Sequence, residues 1–260
     1  MRNRTRIAAA AGFIAAASVT GVIVAALAAP ASDPTAQTGL EAQSDVLLGN
    51  GSDHLPSVTA TDWVTYADHV LVVEAVSERA LEPTAAEVER GEGVIGRVVS
   101  LTVEDVLWSR EGAPQAAPST WEYSGLGWYF ADGDTSATVE MALHDFPRVE
   151  VGHQYVIAVR WEKAICDEDG EYTPAQWRGL GEGSEIPYDD GTLGNGESEG
   201  TVQDAAAFAA ASDEDVVEQG IEELLVGEGA DALVSALNSA VPDAAAQAEM
   251  TTMDAETSCV

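Results

Sequence analysis

The chain has 260 residues and is strongly acidic, with 45 Asp and Glu residues against 11 Lys and Arg residues and a formal net charge of −34. A charge of this size repels polyanions, so it excludes nucleic acid as a partner and leaves cations or basic molecules compatible. The length suffices for one domain of ordinary size with flanking segments.

The first 31 residues have the parts of a secretory signal. Three arginines fall within the first six residues, residues 7–29 form an uncharged run, and small residues follow at 29–31. The arginines stay in the cytoplasm, so the rest of the chain is predicted to be secreted or to face the cell exterior. Because a membrane-spanning helix needs about 20 residues, residues 1–31 are either a cleaved signal peptide or an N-terminal membrane anchor.

Residues 32–57 are predicted to be a flexible linker, because they are rich in small and polar residues. The predicted β-barrel domain, residues 58–200, opens with a helical turn capped by Thr61 or Asp62. A valine-rich strand at 69–76 follows.

The clearest strand pattern covers residues 95–108, where apolar and polar side chains alternate. This alternation predicts a sheet with one buried face, and the length predicts a bend or a bulge. Further strands are predicted at 120–123, 127–130, 138–143 and 154–162.

The predicted fold class is mainly β with C-terminal helices (α+β). Regular turn spacing favours a small antiparallel OB-like β-barrel or sandwich over βαβ units. The last part of the predicted β-barrel domain, residues 167–200, is predicted to be a long, acidic, glycine-rich loop. Residues 201–242 are predicted to hold two to three short helices, and residues 243–260 a C-terminal tail.

The chain has two cysteines, Cys166 and Cys259. In an oxidising exterior an even count favours a disulfide bond over two free thiols. The bond would close a loop of about 93 residues and contribute roughly 4 kcal/mol to stability. It would hold the helical segment against the β domain.

Two short motifs resemble known catalytic or nucleotide-binding patterns, and both lack the required context. Residues 91–96 match G-x-G-x-x-G, but a polar stretch precedes them and a strand follows, which reverses the order of a dinucleotide site. Residues 196–200 match G-x-S-x-G, but a polar loop precedes Ser198 and all four histidines come before it. We therefore assign no activity to either motif.

Two groups of residues are candidate binding sites. Asp167, Asp169 and Glu171, helped by Asp189 and Asp190, form a possible weak cation site, although the ligand spacing of a calcium loop is missing and a solvated acidic turn is the simpler interpretation. No cofactor is predicted. The best candidates for an exposed aromatic patch, as opposed to core packing, are four residues of one segment: Trp121, Tyr123, Trp128 and Tyr129.

Three segments carry a resemblance to a known group of proteins. Residues 66–76, the strand end at 103–108 and residues 151–157 resemble small exported bacterial OB-like barrels, similar in outline to netrin and tissue-inhibitor-like modules. Residues 177–200 look like the corresponding part of uncharacterised secreted actinobacterial proteins. The resemblance covers residues 59–200 and implies an OB-like barrel. Tissue-inhibitor modules act through an N-terminal cysteine, which this chain lacks, so such inhibition is not implied.

The sequence favours an exported, monomeric, non-enzymatic module that binds an unknown cell-surface or extracellular partner, with a possible membrane tether through residues 7–29. The alternative is a secreted hydrolase with a site on loops, built from His144, Asp145 and Asp189. The alternative requires His144 to lie within hydrogen-bonding distance of a carboxylate inside a concave pocket.

Overall fold

A computed structural model describes residues 46–51, 55–166, 172–211 and 220–257. The predicted signal or anchor segment and most of the predicted linker lie outside these residues. Among the described helices, none has both the length and the apolar character that crossing a membrane requires.

The described part of the chain is mainly β, with helices concentrated after residue 204, as the sequence predicts at this level. The strands are β1 (Leu47–Gly49), β2 (His69–Ala80), β3 (Gly93–Ser109), β4 (Thr120–Phe130), β5 (Thr138–Leu143), β6 (Gln154–Glu162), β7 (Ile165–Cys166), β8 (Tyr172–Thr173), β9 (Gln176–Gly179), β10 (Glu185–Pro187), β11 (Gly196–Ser198) and β12 (Thr201–Gln203). The α-helices are α1 (Ala60–Tyr66), α2 (Ala85–Arg90), α3 (Ala205–Ala211), α4 (Ile221–Leu225), α5 (Ala230–Ser239) and α6 (Ala244–Thr257).

The main sheet has eight strands in the order β1-β5-β4-β3-β2-β6-β10, and β9 also pairs with β6. β1 runs parallel to β5, and the other neighbours are antiparallel. The sheet is mixed and open, because no pairing among the described residues joins β1 to the strands at the other edge. A closed antiparallel OB-like barrel is therefore not confirmed.

The centre of the sheet is buried on both faces. On β2, Val70 and Val72 pack in one apolar cluster with α1 and α5, whereas Leu71 and Val73 pack in a second cluster with Trp121. β6 divides its side chains between the two clusters in the same way. Helices thus cover one face, so the alternating pattern does not require the sheet to close.

β3 is long and irregular, as its sequence predicts. It has 17 residues, and its register against β2 shifts at three places. A further shift against β4 falls between Ile95 and Gly96. Such shifts bend a strand and increase its twist.

The helices differ from the sequence prediction at two places. α1 is capped by Thr59, whose Oγ1 accepts a hydrogen bond from Asp62 N at 3.1 Å, instead of by Thr61 or Asp62. Residues 244–257, predicted to belong to a tail, form α6. Polar contacts connect α6 to α1, because Gln247 Nε2 donates to the Thr65 carbonyl oxygen at 3.2 Å. Because these contacts are polar, the sequence of α6 has no apolar stripe from which the helix could be predicted.

Candidate functional site

A cavity of about 370 Å³ opens where β3, β4 and β5 meet the segment before β10. We call it the Arg97 cavity. Its volume falls within the usual range for small-molecule sites, about 300–1,000 Å³. Apolar side chains form most of its wall: Leu81, Leu126, Met141, Leu143, Phe146 and Pro147.

Five polar residues, Arg97, Tyr123, Ser124, Arg148 and Glu185, also line the Arg97 cavity. The Tyr123 hydroxyl donates a hydrogen bond to Glu185 Oε2 at 3.0 Å. Burial, and then the negative charge of Glu185, raises the pKa of Tyr123 well above its ordinary value of 10. The phenol therefore stays protonated at neutral pH and remains a donor to Glu185.

Arg97 projects from β3 and is only 1% exposed. Its Nε donates to the Leu126 carbonyl oxygen at 2.9 Å, and its Nη1 donates to Glu78 Oε2 at 2.7 Å. A buried arginine is tolerated when its charge is paired and its donors have acceptors. Glu78 and the β4 backbone therefore fix the guanidinium at the cavity.

Arg148 connects several elements behind the Arg97 cavity. Its Nε donates to the Met141 carbonyl oxygen at 3.0 Å, its Nη2 donates to the Gly127 carbonyl oxygen at 2.9 Å, and its Nη1 pairs with Glu150. The guanidinium also lies 5.3 Å from the centre of the Trp128 ring, within cation–π range. Burial, and then the charge of Arg97, lowers the pKa of Arg148. This side chain ties β4 to β5 and keeps the cavity wall in place.

The G-x-S-x-G segment is structural. It forms β11 and pairs with β12, so no helix follows Ser198 as a nucleophile elbow requires. Glu197 is buried and accepts hydrogen bonds from the Tyr155 hydroxyl at 2.8 Å and from the Arg148 backbone N at 3.0 Å. The G-x-G-x-x-G segment also lacks its required context, since Gly91 ends α2 and β3 follows.

The structure brings together two of the three residues predicted for a hydrolase, His144 and Asp145, but not Asp189. His144 Nδ1 lies 2.8 Å from Asp145 Oδ2, but their side chains are 57% and 76% exposed and neither lines the Arg97 cavity. Asp189 lies elsewhere, with its Oδ2 2.5 Å from His153 Nδ1 and its Oδ1 accepting from Gln154 N. The structure thus has a His144–Asp145 pair on an exposed loop and a separate His153–Asp189 pair.

Glu199 lies close to His144 and Asp145, a grouping that the sequence does not predict. The three residues offer ligand atoms within 4.8 Å of one another, so they are the described group whose geometry suits a shared metal ion. One imidazole and two carboxylates are common ligands of divalent cations. Glu199 lies in the turn between β11 and β12 with a φ of 53°, and no local pattern in the sequence indicates that it lies near His144.

The predicted weak cation site is described only in part. Asp167, Asp169 and Glu171 lie outside the described residues. The Asp189 side chain accepts hydrogen bonds within the fold, and Asp190 is exposed with a φ of 54°. Cation binding there stays a prediction.

The structure describes only one of the two cysteines of the predicted disulfide. Cys166 ends β7 opposite Tyr172, while Cys259 lies outside the described residues. The bond therefore stays a prediction.

The four predicted patch aromatics do not share an exposed surface. Trp121 is 7% exposed and donates from Nε1 to the Trp177 carbonyl oxygen at 3.1 Å, so it belongs to the core. Tyr123 lines the Arg97 cavity, and the ring of Trp128 contacts the Arg148 guanidinium. Tyr129 is half-buried. An aromatic group that the sequence does not predict joins Trp177 to Trp161 and His69, with ring centres 5.3 and 5.4 Å apart.

The sequence contains one usable signal for the Arg97 cavity. Arg97 interrupts the apolar and small residues of β3 at 95–99, and a charge in such a run indicates a buried partner. The partner cannot be identified from the sequence, because Glu78 lies on another strand. Comparisons with known protein families, curated proteins and solved structures find no match to this chain.

Proposed function

We propose that the chain is an exported, monomeric, non-enzymatic binding protein that holds a small, mainly apolar ligand in the Arg97 cavity. The carrying observation is the cavity itself, with a volume of about 370 Å³, a mostly apolar wall and few convergent polar groups. Natural small-molecule sites share this composition. The arginines and the uncharged run of the first 31 residues support export.

An OB-like origin of residues 59–200 belongs to the same proposal. β2, β3, β4 and β5 follow one another as an antiparallel meander, and the bulged β3 bends within it. These features support a likeness to the secreted OB-like modules that the sequence resembles.

A secreted hydrolase is the second candidate. The 2.8 Å contact between His144 Nδ1 and Asp145 Oδ2 supports it. A general base must reach a substrate held in place, and this pair lies on an exposed loop outside the cavity wall. We therefore favour the binding protein.

A binding assay with a cavity-filling variant tests the proposed function. The probe is the uncharged dye N-phenyl-1-naphthylamine, whose fluorescence rises in apolar surroundings, and the protein is the full exported chain. Met141→Trp adds bulk to the cavity wall, whereas Val139→Trp adds the same bulk to an exposed position of β5. We expect saturable binding to the wild type and to Val139→Trp, and at least about tenfold weaker binding to Met141→Trp.

Thermal unfolding of each variant confirms that it is folded. Equal dye binding by the two tryptophan variants, or no saturable binding by the wild type, contradicts the proposal. Cell fractionation tests export, with the chain expected outside the cytoplasm.

A further inference from the structure

The turn after β5 and the turn of the β11–β12 hairpin bring three potential metal ligands together: His144, Asp145 and Glu199. His144 Nδ1 lies 2.8 Å from Asp145 Oδ2 and 4.0 Å from Glu199 Oε1. Two ligands of a tetrahedral ion with bonds of about 2.0–2.1 Å are separated by roughly 3.3 Å. The two observed distances lie on either side of this value, so small side-chain adjustments place the ligand atoms around one ion.

Backbone contacts hold the two turns in place without an ion. His144 N donates a hydrogen bond to the Gly49 carbonyl oxygen at 2.9 Å, and Glu199 N donates to the Phe146 carbonyl oxygen at 2.8 Å. Asp145 N also donates to Glu199 Oε1 at 2.6 Å. A site whose backbone is already fixed loses little conformational entropy when it binds an ion.

The carboxylates at these turns are not compensated by basic side chains. In the described part of the chain, no Lys or Arg forms an ion pair with Asp145 or Glu199. Glu222 of α4 adds a further carboxyl, whose Oε1 is buried and has no hydrogen-bond partner among the described residues. Burial raises the pKa of Glu222, and the charges of Glu223 and then Asp145 raise it further. The carboxyl groups therefore create a negative potential that a bound cation lowers.

The mixed set of ligand atoms favours one class of cation. Ca²⁺ and Mg²⁺ prefer oxygen ligands, whereas an imidazole nitrogen suits Zn²⁺ and other divalent transition metals. The side chains of His144 and Asp145 are 57% and 76% exposed, so water can complete the coordination of an ion held by three protein ligands.

We propose that His144, Asp145 and Glu199 bind a divalent transition-metal ion, with Zn²⁺ as the best match, and that the ion joins the turn after β5 to the β11–β12 hairpin. The imidazole binds through the Nδ1 lone pair, so the ion takes the place of a proton between Nδ1 and Asp145. This inference is independent of ligand binding in the Arg97 cavity.

Calorimetric titration tests the site in the full chain, prepared without a histidine tag and freed of metal with a chelator. Zn²⁺ and Ca²⁺ are titrated separately at neutral pH and physiological ionic strength, which screens weak binding to the acidic surface. We expect one tightly bound Zn²⁺ per chain, with an affinity at least about tenfold higher than that of Ca²⁺. No Zn²⁺ binding, or Ca²⁺ binding as tight as Zn²⁺ binding, overturns the proposal.

Three variants locate the bound ion. His144→Gln and Glu199→Gln each remove a ligand, whereas Glu104→Gln removes a carboxylate from an exposed position of β3 and is the matched control. We expect each ligand variant to weaken Zn²⁺ binding by at least about tenfold and the control to leave it unchanged. Equal Zn²⁺ affinity in all three variants would show scattered binding by the acidic surface and overturn the site.

Thermal unfolding provides a second measurement on the same proteins. The unfolding transition without metal shows that each variant is folded. Because an ion that binds only the folded state stabilises it, Zn²⁺ should raise the Tm of the wild type and of Glu104→Gln but not of the two ligand variants. The same Zn²⁺-induced shift in His144→Gln as in the wild type also contradicts the proposal.

Discussion

At the scale of single residues, Glu222 in α4 has an unusual environment. Its Oε1 is buried and has no hydrogen-bond partner among the described residues. Burial, and then the charges of Glu223 and Asp145, raises the pKa of Glu222 well above its ordinary value. A buried carboxyl without a partner favours its neutral form.

This environment predicts a pH-dependent stability. Because the pKa of Glu222 is higher in the folded chain, the folded state retains a proton that the unfolded state loses above pH of about 4.3. Stability therefore falls as the pH rises above that value. We expect Glu222→Gln to increase the free energy of unfolding at pH 7 by at least about 1 kcal/mol and to change it little at pH 4.

Chemical denaturation at the two pH values measures the effect of this substitution. Glu228→Gln, at an exposed position near α4, is the control and should have little effect at either pH. An equal effect of Glu222→Gln at pH 4 and pH 7 would contradict the assigned pKa shift.

Residue-level contacts were the least predictable part of the site. The contact partners of Arg97, Arg148 and Glu197 cannot be identified from the sequence. These partners come from other strands and loops, so the burial of each charge depends on the assembled fold. For the same reason, Asp189 contacts His153 instead of His144.

At the scale of elements, local patterns predicted strands well. Residues 138–143 and 154–162 form β5 and β6 with the predicted bounds, and residues 95–108 lie within β3. Alternation of side chains along a strand is visible in the sequence whatever the strand pairs with. The helix α6 has mainly small and polar residues, so the same kind of signal is missing there.

The cap of α1 gives a prediction at this scale. Thr59 Oγ1 accepts from Asp62 N, and Asp62 Oδ2 accepts from Thr59 N at 2.8 Å, which forms a capping box. Thr59→Ala removes the hydroxyl and is expected to reduce the free energy of unfolding by about 1 kcal/mol. Thr61→Ala, at an exposed position in the first turn, should be close to neutral. Urea denaturation of the two variants checks this, and an equal loss in both would argue against the cap at Thr59.

At the scale of the whole molecule, the closure of the sheet could not be predicted from the strands. An alternating strand is equally consistent with a closed barrel and with an open sheet that helices cover. The parallel pairing of β1 with β5 joins residues about 94 positions apart, and nothing local in the sequence indicates it.

The predicted bond between Cys166 and Cys259 also acts on the whole molecule. It would connect the end of β7 to the segment after α6 and enclose the helices between them. Its loss is expected to lower the free energy of unfolding by up to about 4 kcal/mol. Mass spectrometry of the protein with and without reductant detects the bond, and denaturation of Cys166→Ser measures its contribution. Two thiols that react with alkylating agent before reduction would refute the pairing.

The strand order implies an order of assembly. β2, β3, β4 and β5 pair with their neighbours in the chain, whereas β6 must return across the meander to pair with β2, with Val159 opposite His69. Closing such a long loop costs entropy and slows folding, so we expect the meander to form before β6 and β10 join it. Glu185 begins β10 and completes the polar wall of the Arg97 cavity. A chain that is synthesised from its N-terminus therefore holds most of its sheet before the polar wall of the Arg97 cavity is complete.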